Sequence, residues 1–426
     1  MIRAVALFWL SFVISAQGVH AQPSASPTSP TPLASLTPPT PLTPPQPFDE
    51  LGKTELAPVG PHWVWVTDQL IRHSQLFDAG SGEMLASIDN ALGSFPKTPI
   101  FSDSRNEYYV VEAKYEWGHR GKRTDFVTVY DATTMTAKGQ IIVPTQSAES
   151  AANLAYSALL DGNRILAVFN QFPVQTVSIV DLEARSFVDS IPTGGCAGVY
   201  ATGAQSFATL CGNGTLLHVR FDSQGNVTRS ESSAVFFDPV QDPIMMQGAR
   251  VGDRWFFVSF AGVIHEVDFG QSPPATRFWS AVSDAERQAD WRPGGRQLTA
   301  VHRDLGRLYV LFHQGGSGTH KDPGPEIWAF DLETRQRVGR FEVPNMDATA
   351  FAGILGLDGG LSGWLFELLV PATGADTVTV TQDSDPLLLV RNSGLPVMAV
   401  LDAESGVHLR DIEEIGLAGN RLAVPR

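Results

Sequence analysis

Glu326-Ile327-Trp328-Ala329-Phe330-Asp331-Leu332-Glu333-Thr334, followed by Arg337-Val338-Gly339-Arg340-Phe341-Glu342-Val343, is the stretch that decides the fold. Apolar residues alternate up to an Asp, a short polar turn intervenes, and a second alternating run follows. That is the pattern of a half-buried strand, a hairpin turn and a partner strand. The unit recurs as Phe126-Val127-Thr128-Val129-Tyr130-Asp131-Ala132-Thr133-Thr134, as Val177-Ser178-Ile179-Val180-Asp181-Leu182-Glu183-Ala184, and as Val397-Met398-Ala399-Val400-Leu401-Asp402. Looser copies end at Asp78, Asp222 and Asp268. Seven units made only of strands, at periods near 50 residues, predict an all-β chain folded as a seven-bladed β-propeller. Each Asp is read as a turn former, because its carboxylate accepts the backbone N–H groups two or three residues on.

The chain has 426 residues, and the uniform repeat favours one large propeller over several separate domains. Acidic residues outnumber basic ones by 45 to 30, a net charge of −15, which argues against a nucleic-acid partner. Residues 1–21 read as a secretory signal peptide: Arg3 supplies the positive start, Ala4 to Ile14 the apolar run, and Val19-His20-Ala21 the cleavage site. The apolar run is too short to span a bilayer, so the chain is not expected to be an integral membrane protein. Export places the mature protein in the periplasm. There the only two cysteines, Cys196 and Cys211, are expected to form one disulfide closing a local loop. Residues 22–59 form a Pro/Ser/Thr-rich stretch that lacks the apolar content for a core and reads as a flexible arm. The propeller is expected over residues 60–426.

Within it, Tyr115-Glu116-Trp117-Gly118-His119-Arg120-Gly121-Lys122-Arg123-Thr124-Asp125 is the one dense cluster of positive charge and reads as a basic loop and a candidate interface patch. Ser283-Asp284-Ala285-Glu286 carries the capping box of a short helix, and Arg292-Pro293-Gly294-Gly295 ends it. Leu298 to Arg303 and Arg307 to Phe312 read as a hairpin. His302-Arg303-Asp304 therefore mimics a kinase catalytic loop only by accident of its turn. Gly315 to Lys321 lacks the ending of a phosphate loop. No residue of the chain is assigned a catalytic, cofactor-binding or metal-binding role.

Ala285-Glu286-Arg287, Trp291-Arg292-Pro293-Gly294-Gly295, His302-Arg303 and Arg307-Leu308-Tyr309-Val310-Leu311 resemble the heavy subunit of the quinoprotein amine dehydrogenases, the methylamine and aromatic amine dehydrogenase family. Arg120 to Asp125, the Cys196/Cys211 spacing, His320-Lys321-Asp322-Pro323-Gly324 and Thr381 to Leu388 are similar too. The resemblance implies a non-catalytic propeller subunit without a redox cofactor. Tryptophan tryptophylquinone would sit in a separate small light (beta) subunit, in an α2β2 heterotetramer. The complex would oxidise a primary amine to aldehyde and ammonia and pass electrons to a blue copper protein of the amicyanin or azurin type. The alternative is a free-standing exported propeller that binds a protein or ligand without redox chemistry.

Two departures stand out. Where the family places aromatic wall residues in its first blade, this chain has Leu70 and Ile71 within Thr67 to His73. An enlarged, apolar, glycine-rich segment near 346–377 is interrupted by Asp358 and Glu367, which argues against a membrane span.

Overall fold

The computed structural model describes residues 55–91, 93, 95–149, 153–344, 374–416 and 421–425. The expected signal peptide, residues 22–54 of the expected Pro-rich arm and residues 346–373 of the expected enlarged segment lie outside them. Of the arm's last residues, Val59 is buried, and Leu56 N–H donates to Thr133 O at 2.8 Å.

Seven antiparallel sheets make a seven-bladed β-propeller. Blade 1 shows the plan: Ile100–Ser102, Glu107–Tyr115, Arg123–Asp131 and Ala137–Val143 pair in sequence order. Its middle strands are almost wholly buried, whereas five of the seven residues of the outer strand are exposed. The alternating pattern and the polar fourth strand follow from this, since only the outermost strand of a blade faces water. Inner strands pack against inner strands of neighbouring blades, and the apolar clusters fill the spaces between facing sheets.

The seven aspartates fall at one equivalent place, the turn between the third and fourth strands of each blade. Asp131 Oδ1 accepts from Thr133 N and Thr134 N, both at 3.0 Å, and Asp331 Oδ1 accepts from Glu333 N (3.1 Å) and Thr334 N (2.7 Å). Asp78, Asp181, Asp222, Asp268 and Asp402 make the same kind of bond. The donated N–H of Thr334, then its hydroxyl, hold the Asp331 carboxyl below its ordinary range.

Four features differ from the sequence reading. The Asp78 unit is not a complete blade: Trp63–Asp68, His73–Asp78 and Met84–Asp89 receive their inner strand, Arg421–Ala423, from the other end of the propeller. In blades 2 and 5 the inner strand is split, into Gln146–Ser147 and Ser157–Leu160 and into Trp291–Pro293 and Thr299–His302. The stretch from Tyr115 to Asp125 is loop over Glu116 to Lys122 only, while Tyr115 and Arg123 to Asp125 belong to the two long strands of blade 1. The capping box between Ser283 and Glu286 is as expected, but the helix Asp284–Gln288 ends at Ala289, and Trp291–Pro293 is strand where the sequence reading placed the terminating turn.

Side chains staple the ring. Gln297, 1% exposed, donates from Nε2 to Leu422 O at 2.7 Å and to Val378 O at 3.2 Å, and accepts Leu422 N–H at 3.1 Å. It therefore clips the closing strand to blades 5 and 6. His62 Nε2 lies 3.0 Å from Asp383 Oδ2, and His302 Nε2 lies 2.9 Å from Asp383 O, so the Thr381 to Leu388 stretch ties three blades together. Glu107, 2% exposed, joins Arg185 of blade 2 to Lys138 and Tyr109 of its own blade.

Gln297→Leu leaves the N–H and C=O of Leu422 buried without partners, so urea unfolding is expected to register a loss of about 3 kcal/mol. For Glu107, burial raises the carboxyl, but bonds from Arg185, Lys138 and Tyr109 outweigh it and hold it at about 2, against an ordinary 4.5. A depressed acid contributes stability above its unfolded value and loses it as pH falls through its folded value. Wild-type stability should therefore drop by on the order of 3 kcal/mol more than that of Glu107→Gln as pH falls from about 4.5 to about 2.

Candidate functional site

Because strands in each blade alternate in direction, connections fall at two distinct ends. One end, the turn end, carries the Asp hairpins and the short turns between first and second strands. The other, the loop end, carries the links between second and third strands and the long connections between blades. The exposed apolar side chains divide unequally between them. Leu70, Ile71, Phe95, Trp117, Phe172 and Val174 project from connections at the loop end, as do Val235 and Val240, whereas the turn end exposes Leu305 and Val407 in its turns and Met84, Val227, Val338 and Leu409 where the outer strands begin. A rim of apolar groups on one end of a rigid ring marks an interaction surface.

The expected basic patch resolves into two parts. Arg123 is turned inward: its Nε and terminal nitrogen clasp Asp125 at 2.7 and 2.6 Å, and it pairs with Glu149 at 3.0 Å. Lys97 shares this network through Ser147 Oγ at 3.1 Å, and burial pushes its ammonium down to about 8. His119, Arg120 and Lys122 remain at the exposed hairpin tip beside Trp117, which is 75% exposed. Only the tip is available to a partner.

The Leu70–Ile71 loop is held by Asp68, whose Oδ1 accepts from Leu70 N (2.6 Å) and Ile71 N (3.1 Å). The two apolar side chains thus stand out from the loop end on a fixed backbone. Leu70 borders a cavity of about 610 Å³ whose walls include Arg296, Lys321, Asp322 and Asp376. Arg296 Nε sits 3.3 Å from the buried Asp376 carboxylate.

Trp291-Arg292-Pro293-Gly294-Gly295 opens blade 5. A Cβ on Gly294 would lie 2.2 Å from His313 Nδ1, and one on Gly295, at φ +127, would lie 2.8 Å from Asp376 O. These contacts admit only glycine, and they draw the Gly295 N–H onto His320 O at 3.1 Å. His320 in turn stacks on Phe260, ring centroids 4.0 Å apart. Burial, then Lys321, push this imidazole below its ordinary value.

Cys196 opens the inner strand of blade 3 and Cys211 ends the next. They are directly paired in register with Cα atoms 3.9 Å apart and are joined by a disulfide. The bridge fastens the open end of that hairpin, at the loop end. Among the described residues no group of three or more His, Cys, Asp or Glu is placed to hold a metal ion, and no helix is long and apolar enough to cross a membrane.

A family model for the methylamine dehydrogenase heavy chain matches residues 62–352. The chain belongs to this family. The methylamine dehydrogenase heavy chain of Paracoccus versutus is 26% identical over 362 residues, covering 83% of this chain and 75% of the relative. That of Methylorubrum extorquens is 23% identical over 375 residues, covering 84% and 82%. Among solved structures, a protein of unknown function from Desulfotomaculum acetoxidans superposes with a TM-score of 0.53 at 13% identity, covering 86% of this chain and 100% of that one. A putative 6-phosphogluconolactonase from Bacteroides fragilis gives 0.53 at 12% identity, covering 85% and 97%. These two share the fold alone. Within the heavy-chain family, the stretches that carry the resemblance fall at both ends: Thr381 to Leu388 braces the turn end, and Trp291 to Gly295 with His320 to Gly324 shapes the loop end.

The disulfide closes a 15-residue separation. Replacing both Cys196 and Cys211 with Ser should lower stability by about 3 kcal/mol on the loop-closure account. Reductant should shift the wild type toward the variant's urea midpoint and leave the variant unmoved.

Proposed function

We propose that this chain is the non-catalytic heavy subunit of a periplasmic amine dehydrogenase. The observation that carries the reading is the heavy-chain family match over residues 62–352, joined to the exposed apolar residues on the loop-end connections. In this reading the loop end seats a small light (beta) subunit bearing tryptophan tryptophylquinone, in an α2β2 assembly. The quinone supplies the two-electron oxidation by which a primary amine and water give aldehyde and ammonia, and a blue copper protein accepts the electrons. Residues 1–21 act as the signal peptide, residues 22–59 as an arm, and residues 60–426 as the propeller.

This chain's own part is positional. Leu70, Ile71, Phe95, Phe172 and Val174 bury apolar surface against the seated subunit and exclude water around it. Trp117 offers a large anchor at low entropic cost, and Arg120 and Lys122 beside it steer an acidic surface toward the hairpin tip. Rigid backing comes from the disulfide, the Asp68 turn and the Arg123–Asp125 clasp.

Purification from the native cells with partners retained tests this reading. A small subunit should accompany the chain, with a quinone absorption band that bleaches when a primary amine is added. A colourless chain running alone would leave the free-standing binding propeller. With the small subunit in hand, Trp117→Ala should weaken its binding about tenfold, while Leu305→Ala at the turn end should leave the affinity unchanged.

A further inference from the structure

Between blades 4 and 5 the loop end holds a cavity of about 460 Å³. Its walls come from Val240 to Pro243 in the connection between blades 3 and 4, from Phe260 and Ala261 in a blade 4 loop, and from Arg287, Trp291, Arg292 and His320 of blade 5 and the helix before it. Three of the stretches that resemble the amine dehydrogenase heavy chains therefore meet around one cavity.

The polar groups in its lining are unevenly satisfied. Arg292 Nε and His320 Nδ1 are buried and make no hydrogen bond among the described residues. Arg287 bonds only neutral oxygens, Ala261 O at 3.2 Å and Ser280 Oγ at 3.0 Å, and forms no ion pair among the described residues. Two acids are near. Asp242 has one oxygen on Ser259 Oγ and the other on Ala261 N, both at 2.7 Å, so its charge is already engaged. Asp290 lies 3.8 Å from an Arg292 terminal nitrogen and is 68% exposed, so it sits in water at the rim. No carboxylate lies within hydrogen-bond distance of the Arg287 or Arg292 guanidinium among the described residues, and two guanidiniums lining one cavity with an imidazole suit a planar, acceptor-rich anion. Trp291 and the stacked Phe260–His320 pair supply apolar and aromatic walls.

We propose that this cavity binds a carboxylate group, held by Arg292 and His320 with Arg287 as a second cationic wall. The carboxylate comes either from a free organic acid or from an acidic side chain of the seated small subunit. The second source rests on the function proposed above.

Benzoate is the probe for the pocket itself, titrated calorimetrically into the full purified chain against chloride at matched ionic strength. Saturable binding is expected, weakened roughly 10- to 100-fold in Arg292→Gln and partly kept in Arg292→Lys, with His320→Gln as an independent variant. Far-UV circular dichroism of each variant separates loss of the pocket from loss of the fold. The same titration on the complex distinguishes the sources. If benzoate no longer binds once the small subunit is seated, and Arg292→Gln weakens the complex, the carboxylate belongs to the partner. If benzoate binds the complex as well as the free chain, and Arg292→Gln leaves assembly unchanged, the ligand is a free acid. Equal benzoate binding by wild type and Arg292→Gln overturns the proposal, as does a flat wild-type isotherm together with an unchanged complex. Should no small subunit bind the wild type, the proposed function fails while the benzoate titration still decides the pocket.

Discussion

Arg421–Ala423 pairs with Trp65–Thr67, and the Gln297 amide grips Leu422 from its other side. Everything else in the ring leans on this junction. A sheet edge left open presents unpaired N–H and C=O groups. In a propeller each blade's inner edge is shielded by its neighbours, so a single missing inner strand would expose one blade and loosen the two beside it. A buried amide with three backbone bonds is a directional lock that apolar packing alone does not provide.

With the ring closed, the two ends are free to diverge. The turn end is made of short hairpins held by local aspartates and by cross-blade pairs such as Glu107 with Arg185 and His62 with Asp383. These interactions use up the polar side chains they involve. At the loop end, longer connections carry apolar side chains that stay exposed, Trp117 and Leu70 among them. The inward turn of Arg123 adds selectivity: the one charge adjacent in sequence to the exposed tip is cancelled against Asp125 and Glu149 before it reaches the surface.

Much of this was legible in the chain, for local reasons. Asp331 signals its turn because its carboxylate satisfies donors two and three residues away, and the Ser283–Glu286 box is equally self-contained. The Cys196–Cys211 pairing was accessible because the chain has only two cysteines, which leaves no competing partner. Arg421–Ala423 was not legible as a strand: three residues have no periodicity, and what makes them a strand is Trp65 more than 350 residues earlier. The division of Tyr115 to Asp125 into buried and exposed cations was also hidden, since it depends on Ser147 and Glu149 from the next blade. The pocket at Arg292 and His320 had a faint signal in the glycines of Trp291 to Gly295, whose close contacts draw the two loops together. Its lining from Val240 to Pro243 and Phe260 had none, because nothing in those residues announces their neighbour across the blade gap.

The borrowed strand has a temporal meaning as well. Trp63–Asp68, His73–Asp78 and Met84–Asp89 leave the ribosome before any other strand of the propeller, yet their sheet waits for Arg421–Ala423. The first segment synthesised is therefore the last one completed, and cooperative folding is deferred until nearly the whole propeller has been made. Six blades are built from consecutive strands, but the ring itself closes only when the last strand, Arg421–Ala423, joins the first sheet.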